Sequence, residues 1–253
     1  MLSLFDPGTG QAEPLVPAYR GELRILSRGG PPDLAGLCDL LLPDLIRRTA
    51  EWHRLRVASA WAETGAWAGN GGGAAFRSAA SALNLRPPDT DDLGSAADVC
   101  TGGDGGPPAD GRWARSGPVT FPADLGGTGP DPLAGLDDRG LDPLALRLVL
   151  LGRRYRDPLT VTWTALAAAG AELASWRGLV ADWATLPSRP LSAAHRGRIA
   201  AAFDDDLDTP AALAVLRDLA ADASVPPGAR FETFADADRL FGLDLVRDVG
   251  RAG

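Results

Sequence analysis

The amino-acid sequence predicts an α/β domain with a parallel sheet, followed by an all-α region. The first observation is the order strand, helix, strand over residues 23–28, 37–53 and 55–61, which is typical of a βαβ unit. The second is a stretch rich in Gly, Pro and Asp between residues 89 and 132, which is typical of loops. The third is continuous helical periodicity from residue 141 onward. Together they predict two regions of different class.

The elements of the predicted α/β domain follow from residue patterns. "LRILSR" (23–28) and "LRVASAW" (55–61) favour strands, and "LCDLLLPDLIRRTAEWH" (37–53) favours an amphipathic helix, in which Pro43 is awkward. "GAWAGNGGGAAF" (65–76) lacks the G-x-G-x-x-G order and any Lys, so a linker is favoured over a phosphate cradle. A short helix is predicted over 76–85. "WARSGPVTF" (113–121) is the only convincing strand between 89 and 132.

The elements of the predicted all-α region are marked by caps and by periodicity. Asp142 as N-cap and Pro143 at the first helical position predict a helix that is apolar on nearly every side and therefore buried. Further helices are predicted over 192–203, 210–221 and 231–241. Between the helix that starts at Pro143 and the one predicted from residue 192, a further helix carries apolar or small residues at steps of three and four, as in a bundle. These residues are Leu166, Gly170, Leu173, Trp176, Val180 and Trp183.

An acidic run, "FDDDLDTPAALAVLRDL" from residue 203, raises a choice between a metal site and a helix start. Its four aspartates could offer oxygens to Mg²⁺ or Ca²⁺, but the spacing is not that of an EF-hand loop. The favoured alternative has Thr209 as N-cap, Pro210 at the first helical position, and acids where the helix dipole is positive. Leucines at helical spacing follow, so we expect a helix start.

Composition excludes several classes of function. The formal charge is −8 and the sequence pI about 4.8, so no general attraction to nucleic acid exists and no DNA partner is expected. All 25 cationic residues are Arg, which excludes chemistry that needs a Lys. Cys38 and Cys100 have no zinc-knuckle or disulfide-framework spacing. No signal peptide or membrane segment is recognised, so we expect a cytoplasmic protein that does not bind membranes.

A resemblance to a known family rests on several motifs in one order. "RGLDPLALRLVLLGRRYRDPLTVTWTAL", "FDDDLDTPAALAVLRDL" and "ADRLFGLDL", over residues 139–245, resemble the C-terminal helical region of cysteinyl-tRNA synthetases, which are class I aminoacyl-tRNA synthetases. "LSLFDPGTGQAEPLVP", "LRVASAWAET", "ALNLRPPD" and "RWARSGPVTF" resemble segments of the first half in the same order. The resemblance implies a trimmed Rossmann-like parallel-sheet domain over 1–135 and a C-terminal helical bundle over 136–253.

The two ATP-binding signature loops of that family are degenerate here. The resemblance places the H-I-G-H loop on Asp33, Leu34, Ala35 and Gly36, so both histidines are absent. It places the K-M-S-K-S loop on Thr120, Phe121, Pro122, Ala123 and Asp124, where no cation occurs. A single lost donor of this kind can cost about a hundredfold in rate. We therefore expect no ATP-dependent activation of cysteine.

The zinc site that the resemblance implies is also incomplete. Arg28, followed by Gly29 and Gly30, stands where the family has its first Cys ligand, and the segment with the other ligands is deleted. Cys100 falls at a position that is not a ligand, and one Cys cannot make a zinc site. The expectation is no metal and no cofactor, neither ATP nor zinc.

Two groups of residues are the remaining candidates for binding. Arg28, Gly29, Asp104, Trp113 and Arg115 would line a residual pocket at the old active site, although burial of the Trp113 indole is the simpler interpretation. A second group could contact tRNA, because the resembling domain of the family does so, although cations also suit a helix C terminus: Arg153, Arg154 and Arg156. The histidines His53 and His195 are interpreted as surface or capping residues, and Arg47 and Arg48 as packing or dipole residues.

Three functions remain open from the sequence. The favoured one is a non-catalytic binding or regulatory protein that contacts tRNA, a partner protein or a small molecule. The alternative is an enzyme: either one of a biosynthetic pathway that uses an aminoacyl-adenylate or aminoacyl-tRNA, with Arg28 or Arg115 as the cation, or a residual cysteine–tRNA ligase. The third is a decaying gene without selected function.

Overall fold

The fold is taken from a computed structural model that describes residues 1–6, 9–15, 17, 21–28, 33–62, 72–90, 93, 97–102, 111–126 and 131–251. The strands are β1 (Ser3–Asp6), β2 (Gln11–Pro14), β3 (Glu22–Arg28), β4 (Arg56–Ala62), β5 (Val99–Thr101), β6 (Arg112–Ala114), β7 (Val119–Thr120) and β8 (Leu159–Thr160). The helices are α1 (Leu34–Asp39), α2 (Leu41–Trp52), α3 (Gly72–Ala82), α4 (Ala134–Asp137), α5 (Pro143–Leu151), α6 (Trp163–Ala184), α7 (Ala193–Asp204), α8 (Thr209–Ala221) and α9 (Pro227–Phe241).

The central sheet has the order β4-β3-β5-β6, and each of its three pairings is parallel. Strand β3 lies inside it, with Ile25 opposite both Ser59 of β4 and Val99 of β5. Buried residues alternate along β3 with partly exposed ones, as the two-residue period of a strand requires. The predicted α/β layout is confirmed, because β3 and β4 flank helices α1 and α2.

The predicted helix over 37–53 is two helices in the structure. The chain breaks at Leu40, which ends α1 and precedes α2. Pro43 is then the third residue of α2, where its missing N–H costs no intrahelical hydrogen bond. The break therefore accommodates the proline, which a single continuous helix would not.

Three predictions in the middle of the chain need correction. "WARSGPVTF" is not one strand, because β6 belongs to the central sheet whereas β7 pairs in parallel with β8. Between them, Gly117 donates to the Tyr155 carbonyl (2.7 Å), and a Cβ there would lie 2.3 Å from the Arg156 carbonyl oxygen. The chain leaves the sheet at this close contact. Helix α3 begins at residue 72, inside the Gly-rich stretch interpreted as a linker, of which residues 65–71 lie outside the described part. Strand β5 was not predicted.

The helical region begins as the sequence predicts. The Asp142 carboxylate accepts from the Leu144 N–H (2.9 Å), and Pro143 is the first residue of α5. The seam along α6 is buried except for Gly170, which is half-buried and whose Cβ would touch the Ala145 side chain at 3.8 Å. Phe234 of α9 packs edge-on against two tryptophans of that seam. The predicted helix over 231–241 is longer, since α9 begins at Pro227.

The hydrophobic core is continuous between the sheet and the helices. Buried side chains of β3, α1 and α2 belong to one cluster with those of α5, α6, α8 and α9. The domain boundary between residues 135 and 136 therefore stays a prediction, since one hydrophobic core contains side chains from both sides of it. Within the described ranges, no helix combines the length and apolar character that a membrane span requires.

Candidate functional site

The carboxyl edge of the central sheet is the place where its topology favours a ligand. The chain passes from β3 to β4 on one side and then returns to β5 on the other, and crevices form at such reversals of strand order. Ser27 of β3 pairs with Thr101 of β5 at this edge, and both side chains are buried. Gly102 follows with φ +68°, and a Cβ there would lie 2.6 Å from the Arg28 carbonyl oxygen. The two backbones are therefore in close contact where the crevice begins.

Asp33–Gly36, to which the resemblance assigns the first signature loop, forms the start of α1. The Asp33 side chain accepts from the Gly36 N–H at 3.0 Å and caps the helix. Leu34 and Gly36 are buried, whereas Ala35 is exposed. A carboxylate thus already occupies the helix N terminus, where free N–H groups would otherwise favour an anion.

Thr120–Asp124, to which the resemblance assigns the second signature loop, contacts side chains of the helical region. The Asp124 carboxylate accepts from the Trp163 indole N–H (3.0 Å) and from Arg139 (2.6 Å). The Trp163 hydrogen bond, with Arg139 adding to it, lowers the pKa of Asp124. The Arg139 guanidinium also lies 3.7 Å above the Trp163 ring. Arg139, the cation that contacts this segment, is therefore held by the Asp124 carboxylate and the Trp163 ring.

The predicted residual pocket is only partly within the described residues. Gly29 and Asp104 lie outside them. The Trp113 indole donates to the Gly102 carbonyl at 3.1 Å, and the Arg115 guanidinium lies 5.0 Å from the centre of the Trp113 ring. The structure therefore brings Trp113 and Arg115 together near the carboxyl edge of the central sheet.

Arg28 ends β3, and β5 separates it from β6, the strand that carries Trp113. Burial raises the pKa of the Cys100 thiol, which lies in β5, and the charge of Arg28 opposes that rise. Arg28 therefore lies within electrostatic reach of this edge of the sheet. Its distance from the β6 residues is about 10 Å, because two strand spacings of about 4.8 Å separate β3 from β6.

The four aspartates of "FDDDLD" separate to different partners. Asp204 lies 2.6 Å from His53 Nε2, and Asp208 caps α8 by accepting from the Ala211 N–H (3.1 Å). The predicted helix start is confirmed, but Thr209 is not its cap; it is the first helical residue, and its hydroxyl donates to the Arg153 carbonyl instead. In the described part of the chain, no group of three or more His, Cys, Asp or Glu side chains could hold a metal ion.

Asp206 is the buried centre of this acidic run. Its carboxylate accepts from the Phe5 N–H (2.8 Å), the Tyr155 hydroxyl (2.8 Å) and two nitrogens of Arg156 (3.0 and 2.7 Å). Asp206 and Leu207 both have positive φ, 51° and 53°, which is costly for residues with a Cβ. Such a turn persists only where its surroundings hold it, and the bonds to Asp206 do so.

The three arginines predicted to contact tRNA all have partners within the protein. Arg154 pairs with Asp208, and Arg156 with Asp206. Arg153 donates to the carbonyls of Tyr155 (3.1 Å) and Gly117 (3.3 Å). They follow α5, which ends at Leu151, rather than forming its end. The aspartates neutralise this basic stretch, so a contact between it and tRNA stays a prediction.

The sequence interpretation missed a buried ionic cluster formed by Asp44, Arg48 and Arg147. The Asp44 carboxylate accepts from Arg147 (2.6 Å) and Arg48 (2.8 Å), and all three side chains are 5 % exposed or less. Burial alone would raise the pKa of Asp44, but the two arginines lower it by more, and its net pKa is below the ordinary value. The signal was present, because a lone Arg in an apolar helix and an Asp in an apolar run need partners. Arg48 does have the packing role expected of it.

The histidines have the local roles that the sequence favours. His53 caps the end of α2 and contacts Asp204, and His195 accepts from or donates to the Ser192 hydroxyl at 2.8 Å.

Together the fold and this edge define an α/β protein whose parallel sheet packs against a helical region. No family model matches the chain. It is 37% identical over 110 residues to cysteine–tRNA ligase 1 of Burkholderia lata, which is 44% of this chain and 23% of that protein. It is 44% identical over 108 residues to the L-cysteine:1D-myo-inositol 2-amino-2-deoxy-alpha-D-glucopyranoside ligase of Thermobispora bispora, which is 43% of this chain and 23% of that protein.

A third relative is the cysteine–tRNA ligase of Treponema pallidum, 30% identical over 140 residues, or 46% of this chain and 27% of that protein. These matches show a cysteinyl-tRNA synthetase-like relationship, and the resemblance stated from the motifs is confirmed. The matched part spans about a quarter of the length of these curated relatives.

Proposed function

We propose that this chain is a cysteinyl-tRNA synthetase-like binding or regulatory protein of the cytoplasm that does not activate an amino acid. It consists of a trimmed Rossmann-like domain and a C-terminal helical bundle. One observation carries the proposal: both positions that resemble the ATP-binding loops contain no cation or imidazole, and both of their acids already have structural partners. The relationship to cysteine–tRNA ligases supports the choice of the family from which the two positions are assigned.

Electrostatics explain why such a site would not activate an amino acid. Attack of a carboxylate on ATP develops charge on the phosphates, and fixed donors aimed at that charge supply much of the rate enhancement. Asp33 caps α1 and Asp124 binds Arg139 and Trp163, so each position presents a carboxylate where the family has a donor. Two like charges near a triphosphate raise rather than lower its energy.

The side chain at the position of the first zinc ligand supports the expectation that no zinc is bound. Arg28, a permanent cation, stands where a thiolate ligand would be needed, and it would repel a divalent metal. We therefore propose that the protein uses neither ATP nor zinc as a cofactor.

The proposed partner is tRNA or a partner protein, bound through the helical region. Arg154 and Arg156 are 38% and 35% exposed, so their outer faces remain accessible despite their aspartate partners. The net charge of −8 predicts weak and salt-sensitive binding rather than a general affinity for nucleic acid.

ATP–pyrophosphate exchange with each of the twenty amino acids tests the proposal. The expected result is no exchange above a blank without protein, while a competent cysteine–tRNA ligase exchanges in the same buffer. Titration calorimetry with ATP should show no micromolar binding. Exchange with any amino acid would overturn the proposal, and exchange with cysteine alone would favour a residual cysteine–tRNA ligase.

A second function is favoured by one of the relatives. The ligase of Thermobispora bispora is named for L-cysteine and an amino-deoxy-glucopyranoside of inositol rather than for tRNA. The alternative is therefore a biosynthetic enzyme that receives an aminoacyl-adenylate or aminoacyl-tRNA made elsewhere. The Arg115–Trp113 pair at the crevice would bind the acyl donor, with Arg28 at the end of β3.

This alternative is tested by supplying the activated donor directly. Cysteinyl-adenylate and an amino-sugar acceptor are incubated with the protein, and the amide product is measured by mass spectrometry. An Arg115→Ala variant should lose the product, whereas Arg198→Ala, which removes an exposed arginine of α7, should keep it. Equal product with and without protein rejects the alternative.

A further inference from the structure

Arg153 has one side-chain nitrogen that no described protein atom satisfies. Its two terminal nitrogens donate to the carbonyls of Tyr155 (3.1 Å) and Gly117 (3.3 Å). Its Nε is buried and has no acceptor in the described part of the chain. A guanidinium keeps its charge at any physiological pH, so this N–H group stays a donor. Buried donors of this kind nearly always have a partner, either protein or an ordered water.

A small cavity adjoins the same arginine. The centre of a water molecule can move through about 20 Å³ inside it, and a single water needs about 10–15 Å³. Its walls are mainly leucines, and its polar lining comes from Ser116, Arg153, Tyr155 and Thr209, with the thiol of Cys38. The cavity therefore has room for one water molecule and carries the polar partners that a buried water requires.

The polar groups around the cavity decide the chemistry of its occupant. The occupant must accept from Arg153 Nε. The Thr209 hydroxyl donates its proton to the Arg153 carbonyl (3.2 Å), and the Tyr155 hydroxyl donates to Asp206 (2.8 Å), so each has only lone pairs left to offer. An occupant that accepts one hydrogen bond and donates others is water. A halide could accept from Arg153 Nε but could not donate to the two hydroxyls.

We propose that this cavity binds one structural water molecule, which accepts from Arg153 Nε and donates to the hydroxyls of Thr209 and Tyr155. The water would connect the first degenerate signature helix, through Cys38, to the turn after α5 and the start of α8. Arg153 is then a positioning residue at this junction, with every side-chain nitrogen directed into the protein. The inference is independent of the proposed function, but it removes Arg153 from the set that could contact tRNA.

A high-resolution crystal structure is the direct test. The expected result is one peak of density within hydrogen-bond distance of Arg153 Nε, as well ordered as the side chains around it. An empty cavity, or an Nε that has turned to a protein acceptor, would overturn the proposal. Crystals soaked in bromide distinguish the two possible occupants, because an anomalous peak in the cavity would show an anion site instead of a water site.

NMR transfer of magnetisation from water to protein protons tests for a long-lived bound water in solution. Arg153→Lys keeps the charge but lacks the Nε donor, and it should lose the long-lived water signal and melt at a lower temperature. The matched control is Arg154→Lys, whose side chain is half-buried and pairs with Asp208 outside the cavity; it should keep the signal.

A second variant tests for the water molecule if Arg153→Lys does not fold. Cys38→Leu fills the cavity from α1, and it should expel the water without a change to the arginine. A water signal that persists in both folded variants would contradict the assignment.

Discussion

Replacing Asp44 with Asn should destabilise the protein severely, because it removes the negative centre of a buried cluster. The Asp44 side chain is 2% exposed, and the partners Arg147 and Arg48 are 1% and 5% exposed. Its other oxygen accepts from the Arg86 N–H at 3.2 Å. An Asn side chain can offer one oxygen to the two guanidiniums, but its amide group then faces the Arg86 donor. Two buried cations would be left without their carboxylate.

The magnitude follows from the burial of all three groups. Removing one partner of a buried ion pair costs about 3–5 kcal/mol. Burial raises the pKa of Asp238, but its carboxyl group lies within electrostatic reach of both arginines and offsets part of the loss, so we expect the lower end, about 3 kcal/mol. That is more than a hundredfold in the equilibrium between folded and unfolded protein, and a large share of a total stability of about 5–15 kcal/mol.

Urea unfolding followed by tryptophan fluorescence measures this loss as a lower midpoint at an unchanged slope. The matched control is Asp218→Asn, since Asp218 and its partner Arg198 are more than half exposed, and exposed pairs contribute about 1 kcal/mol or less. If Asp44→Asn lies within 1 kcal/mol of the unsubstituted protein, as the control should, the reasoning about the buried cluster is refuted.

Three further predictions concern pH, glycines and a thiol. Because the folded-state pKa of Asp44 lies below its unfolded value, its contribution is complete above about pH 4 and is lost as pH falls through the folded pKa; urea midpoints should fall in acid, and less so in Asp44→Asn. Gly178→Ala, inside α6 with open space around it, should raise stability by about 0.5–1 kcal/mol. Gly135→Ala should lower the melting temperature instead, since its Cβ would lie 2.3 Å from a backbone oxygen. Burial raises the pKa of the Cys38 thiol, so a thiol reagent should label it only after unfolding; labelling of the native protein would contradict its burial.

The local patterns of the sequence were sufficient for the elements that local forces decide. Asp142 and Pro143 mark the start of α5 because the cap needs only its neighbours on the chain. The seam of α6 was readable because its period matches the helix. The strand, helix, strand order predicted the parallel pairing of β3 with β4.

Long-range contacts decided what local patterns could not predict. "WARSGPVTF" is divided because Gly117 packs against the turn after α5, about forty residues further along the chain. The cap of α8 is Asp208 rather than Thr209, because the Thr209 hydroxyl is drawn to the Arg153 carbonyl. The sequence pattern predicts a basic patch after α5, because the aspartate partners of Arg154 and Arg156 lie some fifty residues further along the chain.

The bond between the Phe5 N–H and the Asp206 carboxylate joins residues 201 positions apart, and this separation affects the order of folding. During synthesis, β1 and β2 leave the ribosome long before the turn that holds them exists. The hairpin can therefore pair early but cannot be anchored until residue 206 has been made. Contacts of such long range close slowly, because loop entropy is lost before they form. A nascent chain halted before residue 206 would consequently carry a hairpin without its anchor, which quality-control proteases could use to distinguish it from the finished protein.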